Sequence, residues 1–237
     1  MKNVKYFAIL CLILFIPAIG FSELRKQYYK SGELQREASF RNGKKDGLYK
    51  DYYKSGVLEA EANYKNGKLE GPLKTYYKSG AVEWEDNYKN NKKEGLSKQY
   101  YESGEIRFED NYKNSKKVGL SKEYYKSGKL KSEINYKNDK AEGLSKQYYE
   151  SGELEKETNY KNGKVVDLIK SYYKNGALKR EDNYKNNRKE SLSKEYYKNG
   201  EILYIDTFNN GQKINRKAYD VRGKLEFEQD YPYMKKK

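Results

Sequence analysis

Charged side chains make up 36% of the sequence, yet the residue types that usually carry catalysis are almost absent. There is no His, and Cys11 is the only Cys. This excludes a Ser-His-Asp triad, a Cys-His dyad and an imidazole zinc site. There is no phosphate-binding Gly-x-x-x-x-Gly-Lys loop, no Gly-x-Gly-x-x-Gly after a strand and no Cys/His cluster for a metal. Carboxylates are abundant, but general acid–base work needs two of them in different environments. Here they recur in equivalent settings, so nothing splits their pKa values. The expectation is a non-enzyme without cofactor or metal.

The charges instead form columns. Lys occupies positions 26, 50, 74, 98, 122, 146, 170 and 194, and Glu occupies 37, 61, 85, 109, 133, 157 and 181. These columns follow a larger repeat. Tyr-Tyr pairs begin at 28, 52, 76, 100, 124, 148, 172 and 196, always 24 residues apart. Gly follows each pair by three residues, then Leu, Val or Ile two residues later. An aromatic column runs from Phe40 through Tyr160 to Phe208. A fixed period of this length means serially paired or stacked units.

Each unit reads as two strands and two turns. In copy six these are 144–149 and Leu154 to Tyr160, joined through Ser151-Gly152 and followed by Asn162-Gly163. Tyr, Thr and β-branched residues suit a pleated surface, and Asn-Gly is the strongest short hairpin signal. Asn91, Ser115, Asp139 and Asn187 replace the turn Gly; Asn and Asp tolerate positive φ. No breaker-free window is long enough for helices. The fold class is therefore all-β: an elongated antiparallel meander of about eight tandem hairpin repeats, with sixteen to eighteen short strands. A large aliphatic core is excluded, because from residue 23 onward only 32 of 215 residues are Leu, Ile, Val or Phe.

The segments 42–47 (Asn-Gly-Lys-Lys-Asp-Gly) and 66–71 (Asn-Gly-Lys-Leu-Glu-Gly) resemble the core of MORN repeats. The 24-residue spacing with Tyr-Tyr-x-x-Gly resembles the bacterial MORN-variant repeat, from residue 24 to about 230. Copies three to five and seven lose the first Gly of the motif, and Asp167 and Ser191 replace the second. The resemblance implies hairpin arrays that act in protein binding and scaffolding. Some bacterial relatives are described as antitoxin components of toxin–antitoxin modules.

The two uniform charge columns set the expected register. Lys146 should face Glu157, since opposite charges across strands stabilise. A two-residue loop gives this pairing and opposes Tyr149 to Leu154; a four-residue loop also keeps Lys146 opposite Glu157. Both remain open. Alternation then places Leu154, Tyr149 and Tyr160 on one face and Lys146, Glu157 and Tyr148 on the other. The tyrosines read first as sheet packing and second as a stacking platform.

Residues 1–22 read as a secretory signal peptide. Lys2 and Lys5 precede an apolar stretch that ends in Ala18-Ile19-Gly20. The stretch from Tyr6 to Phe21 is short of the roughly 20 residues that span a bilayer. Export to the periplasm, envelope or exterior is expected. The array then covers 23–215, a degenerate ninth half-repeat 216–233, and a basic tail 234–237. Formal net charge is +15. Lys alternates with Glu, so no basic stripe is expected and a nucleic-acid partner is disfavoured. Anionic lipid or glycan is the alternative to a protein partner.

Copy eight departs from the pattern. Ile205 stands in the Glu column, with Leu203 and Thr207 beside it. The expected apolar patch either docks a partner or is capped by the chain's own Leu225 or Phe227.

Overall fold

A computed structural model describes residues 22–232 of the chain. The expected leader, including Cys11, and the basic tail lie almost entirely outside the described residues.

The described residues contain strands and turns and no helix. Twenty-one strand segments form one antiparallel sheet. Lys92–Lys93, Lys116–Lys117 and Lys140–Ala141 are short pieces that continue into Gly95–Tyr100, Gly119–Tyr124 and Gly143–Tyr148, which leaves eighteen strands. The strands pair with their sequence neighbours, from Ser22–Tyr28 at one edge to Leu225–Asp230 at the other. At about 4.8 Å per strand, successive copies lie about 10 Å apart.

The Asn-containing turns are two-residue loops with positive φ at both central positions, as at Asn66 (51°) and Gly67 (78°). That is the turn whose twist matches a hairpin. Asn91, Ser115, Asp139 and Asn187 adopt the same conformation, with φ between 63° and 67°.

The Ser-Gly turn keeps the expected register by a different route. Lys146 pairs with Glu157. However, Tyr149 N–H donates to the Glu153 carbonyl at 2.9 Å, and Gly152 N–H donates to the Tyr149 carbonyl at 2.8 Å. The loop therefore has three residues, neither two nor four. Alone, it would set Lys146 against Lys156. A bulge at Glu155 adds one residue to the returning strand and restores the Lys–Glu pairing. The three-residue loop itself opposes Leu154 to Tyr148, where Tyr149 was expected. Leu154 thus shares the row of Tyr148 and leaves the grouping with Tyr149 and Tyr160.

Few apolar side chains are buried: Ala38, Ala62, Leu69, Ile169 and Ala218. Polar residues fill the equivalent positions elsewhere. Asp86, Asp110 and Asp182 are buried and accept hydroxyl hydrogen bonds from Ser97, Ser121 and Ser193. Lys93, Lys117 and Lys189 reach the same carboxylates at 2.9, 2.9 and 3.0 Å. Arg216 Nε meets Asp206 at 2.6 Å. Buried charge is tolerated in so thin a sheet because every carboxylate is paired and hydrogen-bonded.

Candidate interaction surfaces

Three features run from copy to copy. The first is a charge ladder. Lys26 faces Glu37, which faces Lys50, then Glu61, Lys74, Glu85, Lys98 and Glu109. The row continues through Lys122, Glu133, Lys146, Glu157, Lys170, Glu181 and Lys194. It then reaches Ile205, Lys217 and Glu228. Only some partners close to ion pairs, such as Lys74–Glu85 at 2.8 Å and Lys26–Glu37 at 3.1 Å.

The second feature is a double row of tyrosine hydroxyls. The first Tyr of each internal pair donates to the Glu of the preceding copy. Tyr76 meets Glu61, Tyr100 meets Glu85 and Tyr148 meets Glu133, at 2.7 to 2.9 Å. The second Tyr donates forward to a backbone carbonyl: Tyr101 to Tyr124 and Tyr149 to Tyr172, both at 2.8 Å. Burial, and then the carboxylate partner, push Tyr76, Tyr100, Tyr124, Tyr172 and Tyr196 up to a pKa of about 12. The tyrosine columns are therefore ties between copies. Sequence reading placed them correctly in the sheet but missed these bonds. The residues replacing the turn Gly add another tie. Asn91, Ser115, Asp139 and Asn187 accept the backbone N–H of the preceding copy's strand, from Leu69, Lys93, Lys117 and Val165.

These ties complete a chain of units in which every link repeats at the 24-residue period. Eight matches to the model of the MORN repeat variant fall on the same units, at 24–42, 45–66, 69–90, 93–114, 117–138, 141–162, 168–186 and 189–210. The chain belongs to the MORN repeat variant family. No curated protein matches it. Within the MORN-variant array the second motif Gly sits at a bulge with positive φ, as at Gly71 (84°). Asp167 and Ser191 hold the same conformation at 59° and 60° without being Gly.

The third feature is an edge of the array that carries a basic row, correcting the expectation of no stripe. Each Asn-containing turn of copies one to seven sets two cations directly opposite each other. Examples are Lys65–Lys68, Lys89–Lys92, Lys113–Lys116 and Lys185–Arg188. All are exposed. The Ser-Gly edge is mixed in sign, with Glu102 and Glu105 in copy four but Lys126 and Lys129 in copy five. Between neighbouring Asn turns lie open polar clefts, one of about 360 Å³ lined by Lys89, Asn90, Lys92, Glu94 and Asn114.

Copy eight breaks the ladder. Ile205 stands between Lys194 and Lys217, so neither lysine has a carboxylate opposite it there. Leu203 occupies the bulge, and both apolar residues are half-buried. Phe227 does not cover them. It lies opposite Ala218, in the row of Tyr204 and therefore on the other face from Ile205. Leu225 lies opposite Tyr219, and both Leu225 and Phe227 remain 47% exposed. No group of three metal-ligating side chains occurs among the described residues.

Proposed function

We propose that the array is a non-catalytic platform that docks a protein partner on copy eight and the hairpin after it. The observation that carries this reading is Ile205, the one apolar break in an otherwise alternating Lys–Glu row. Exposed Leu225, opposite Tyr219 and so on the face of Lys217 and Ile205, adds to the apolar surface, and Val221 is exposed at the same end of the array. An antitoxin or immunity role is the narrower form of the same reading, with a toxin as partner. The apolar leader and its small-residue exit support export, which would place that partner outside the cytoplasm.

The substitution Ile205→Glu tests the reading without threatening the fold. It restores the repeat's own residue opposite Lys194 and Lys217 and supplies a carboxylate for the Tyr219 hydroxyl. Partner capture should be lost while the melting temperature holds or rises. Unchanged capture would remove the site, and a fall in melting temperature would make Ile205 a structural cap.

A second reading, binding of anionic lipid or glycan, rests on the basic Asn-turn edge. Like charges placed directly opposite each other destabilise a sheet, and seven copies retain them. Changing Lys89, Lys92, Lys113 and Lys116 to Gln should abolish retention on anionic vesicles or acidic polysaccharide and spare protein capture. Unchanged retention would dismiss this reading.

A further inference from the structure

The charge ladder starts with Lys26 on the first strand and ends with Glu228 on the last. Inside the array, each ladder Glu takes the hydroxyl of the Tyr fifteen residues later; Tyr52, Tyr76, Tyr100, Tyr124, Tyr148, Tyr172 and Tyr196 all donate this way. At the two ends the same parts are left over. Tyr28, which heads the column, has no such acceptor among the described residues and is 56% exposed. Glu228 holds Lys217 at 3.5 Å and the Asn215 amide at 2.9 Å, but no tyrosine. Among the described residues each terminal strand is paired on one side only, Ser22–Tyr28 with the strand after it and Leu225–Asp230 with the strand before it. Their charges are complementary: the last strand carries Glu226, Glu228 and Asp230 without a cation, and the first carries Arg25 and Lys26 beside Glu23. Leu24, Leu225 and Phe227 on these strands are exposed.

We propose that copies of this chain join head to tail by strand addition. The strand Leu225–Asp230 of one copy pairs antiparallel with Ser22–Tyr28 of the next. Glu228 then faces Lys26, and Tyr28 donates its hydroxyl to Glu228. This repeats the junction found between copies inside the chain, where Glu61 faces Lys74 and receives the Tyr76 hydroxyl at 2.7 Å. Main-chain hydrogen bonds supply the adhesion, and the ladder fixes the register. The two surfaces differ, so the contact is heterologous and extends into an open filament unless a partner ends it. It uses the backbone edge of the last strand, whereas partner docking is centred on the Ile205 face, so Ile205→Glu should leave self-association unchanged.

Sedimentation velocity on the full chain, over a wide concentration series, tests the proposal. The average mass should rise with concentration. Lys26→Glu and Glu228→Lys should each weaken association at least about tenfold, since each sets like charges opposite each other at the junction. The double variant, Lys26→Glu with Glu228→Lys, exchanges the two charges and should recover association. That rescue separates a lost junction from a locally damaged hairpin. A chain that stays monomeric throughout would overturn the proposal; its edges would then be covered by residues before Ser22 or by another protein's strand. Association unaffected by either single change, or a double variant no better than the singles, would also overturn it.

Discussion

At the scale of single residues, tyrosine takes over much of the role that aliphatics play in thicker folds. With five buried apolar residues among those described, the sheet cannot rest on burial alone. Each internal Tyr pair adds one hydroxyl bond backward to a carboxylate and one forward to a carbonyl. These bonds give the protein an alkaline limit. The folded phenols of Tyr76, Tyr100, Tyr124, Tyr172 and Tyr196 are raised to about 12 by burial and their Glu partners. Unfolded tyrosine titrates near 10. The folded state therefore holds its protons more tightly. The stabilisation is complete below about pH 10 and drains as pH rises from there toward 12. Tyrosinate absorbance in the folded protein should lag the urea-unfolded curve and rise together with loss of sheet signal. Coincident folded and unfolded titrations would show that the hydroxyls are free.

At the scale of elements, the hairpins show what the sequence could and could not tell. The pairing of Lys146 with Glu157 was legible because two uniform charge columns have one arrangement that brings them together. The loop was not legible. A three-residue turn and a bulge at Glu155 cancel in register, and alternation cannot detect two compensating shifts. The buried Asp network leaves a readable trace in the sequence. Asp86, Asp110, Asp182 and Asp206 each have Lys seven residues later, whereas Ala62, Ile134 and Thr158 are followed there by Leu69, Ala141 and Val165; Ala38 with Lys45 is the exception. The hydroxyl ties depend on distances between copies, which a linear pattern does not contain. Bulge conformation gives a prediction at this scale. Ser191 holds φ at 60°, where Gly is the residue without a Cβ penalty. Ser191→Gly should raise stability by up to about 1 kcal/mol, after the added backbone entropy of the unfolded chain is subtracted. Urea denaturation checks it, and a loss of stability would mean that the side chain makes up for its own strain.

At the scale of the whole molecule, the sheet is a chain of nearest-neighbour links. The Lys–Glu ladder, the tyrosine ties and the turn-to-turn bonds each connect one copy to the next. Stability should then be local and approximately additive along the array. The proposed docking and self-association fit this layout: they use the places where the pattern breaks, at Ile205, or is left unfinished, at the two outer strands. Amide hydrogen exchange on a chain carrying Tyr100→Phe and Tyr101→Phe tests the layout most directly. The change removes one tie from Tyr100 to Glu85 and one from Tyr101 to the Tyr124 carbonyl. Exchange should accelerate roughly five- to tenfold across residues 82–130, since each lost bond is worth about 1 kcal/mol. Leu34–Arg41 and Ile202–Asn209 should keep the rates of the unaltered protein. Uniform acceleration from end to end would show a single cooperative unit and contradict the account, as would no acceleration at the altered junctions.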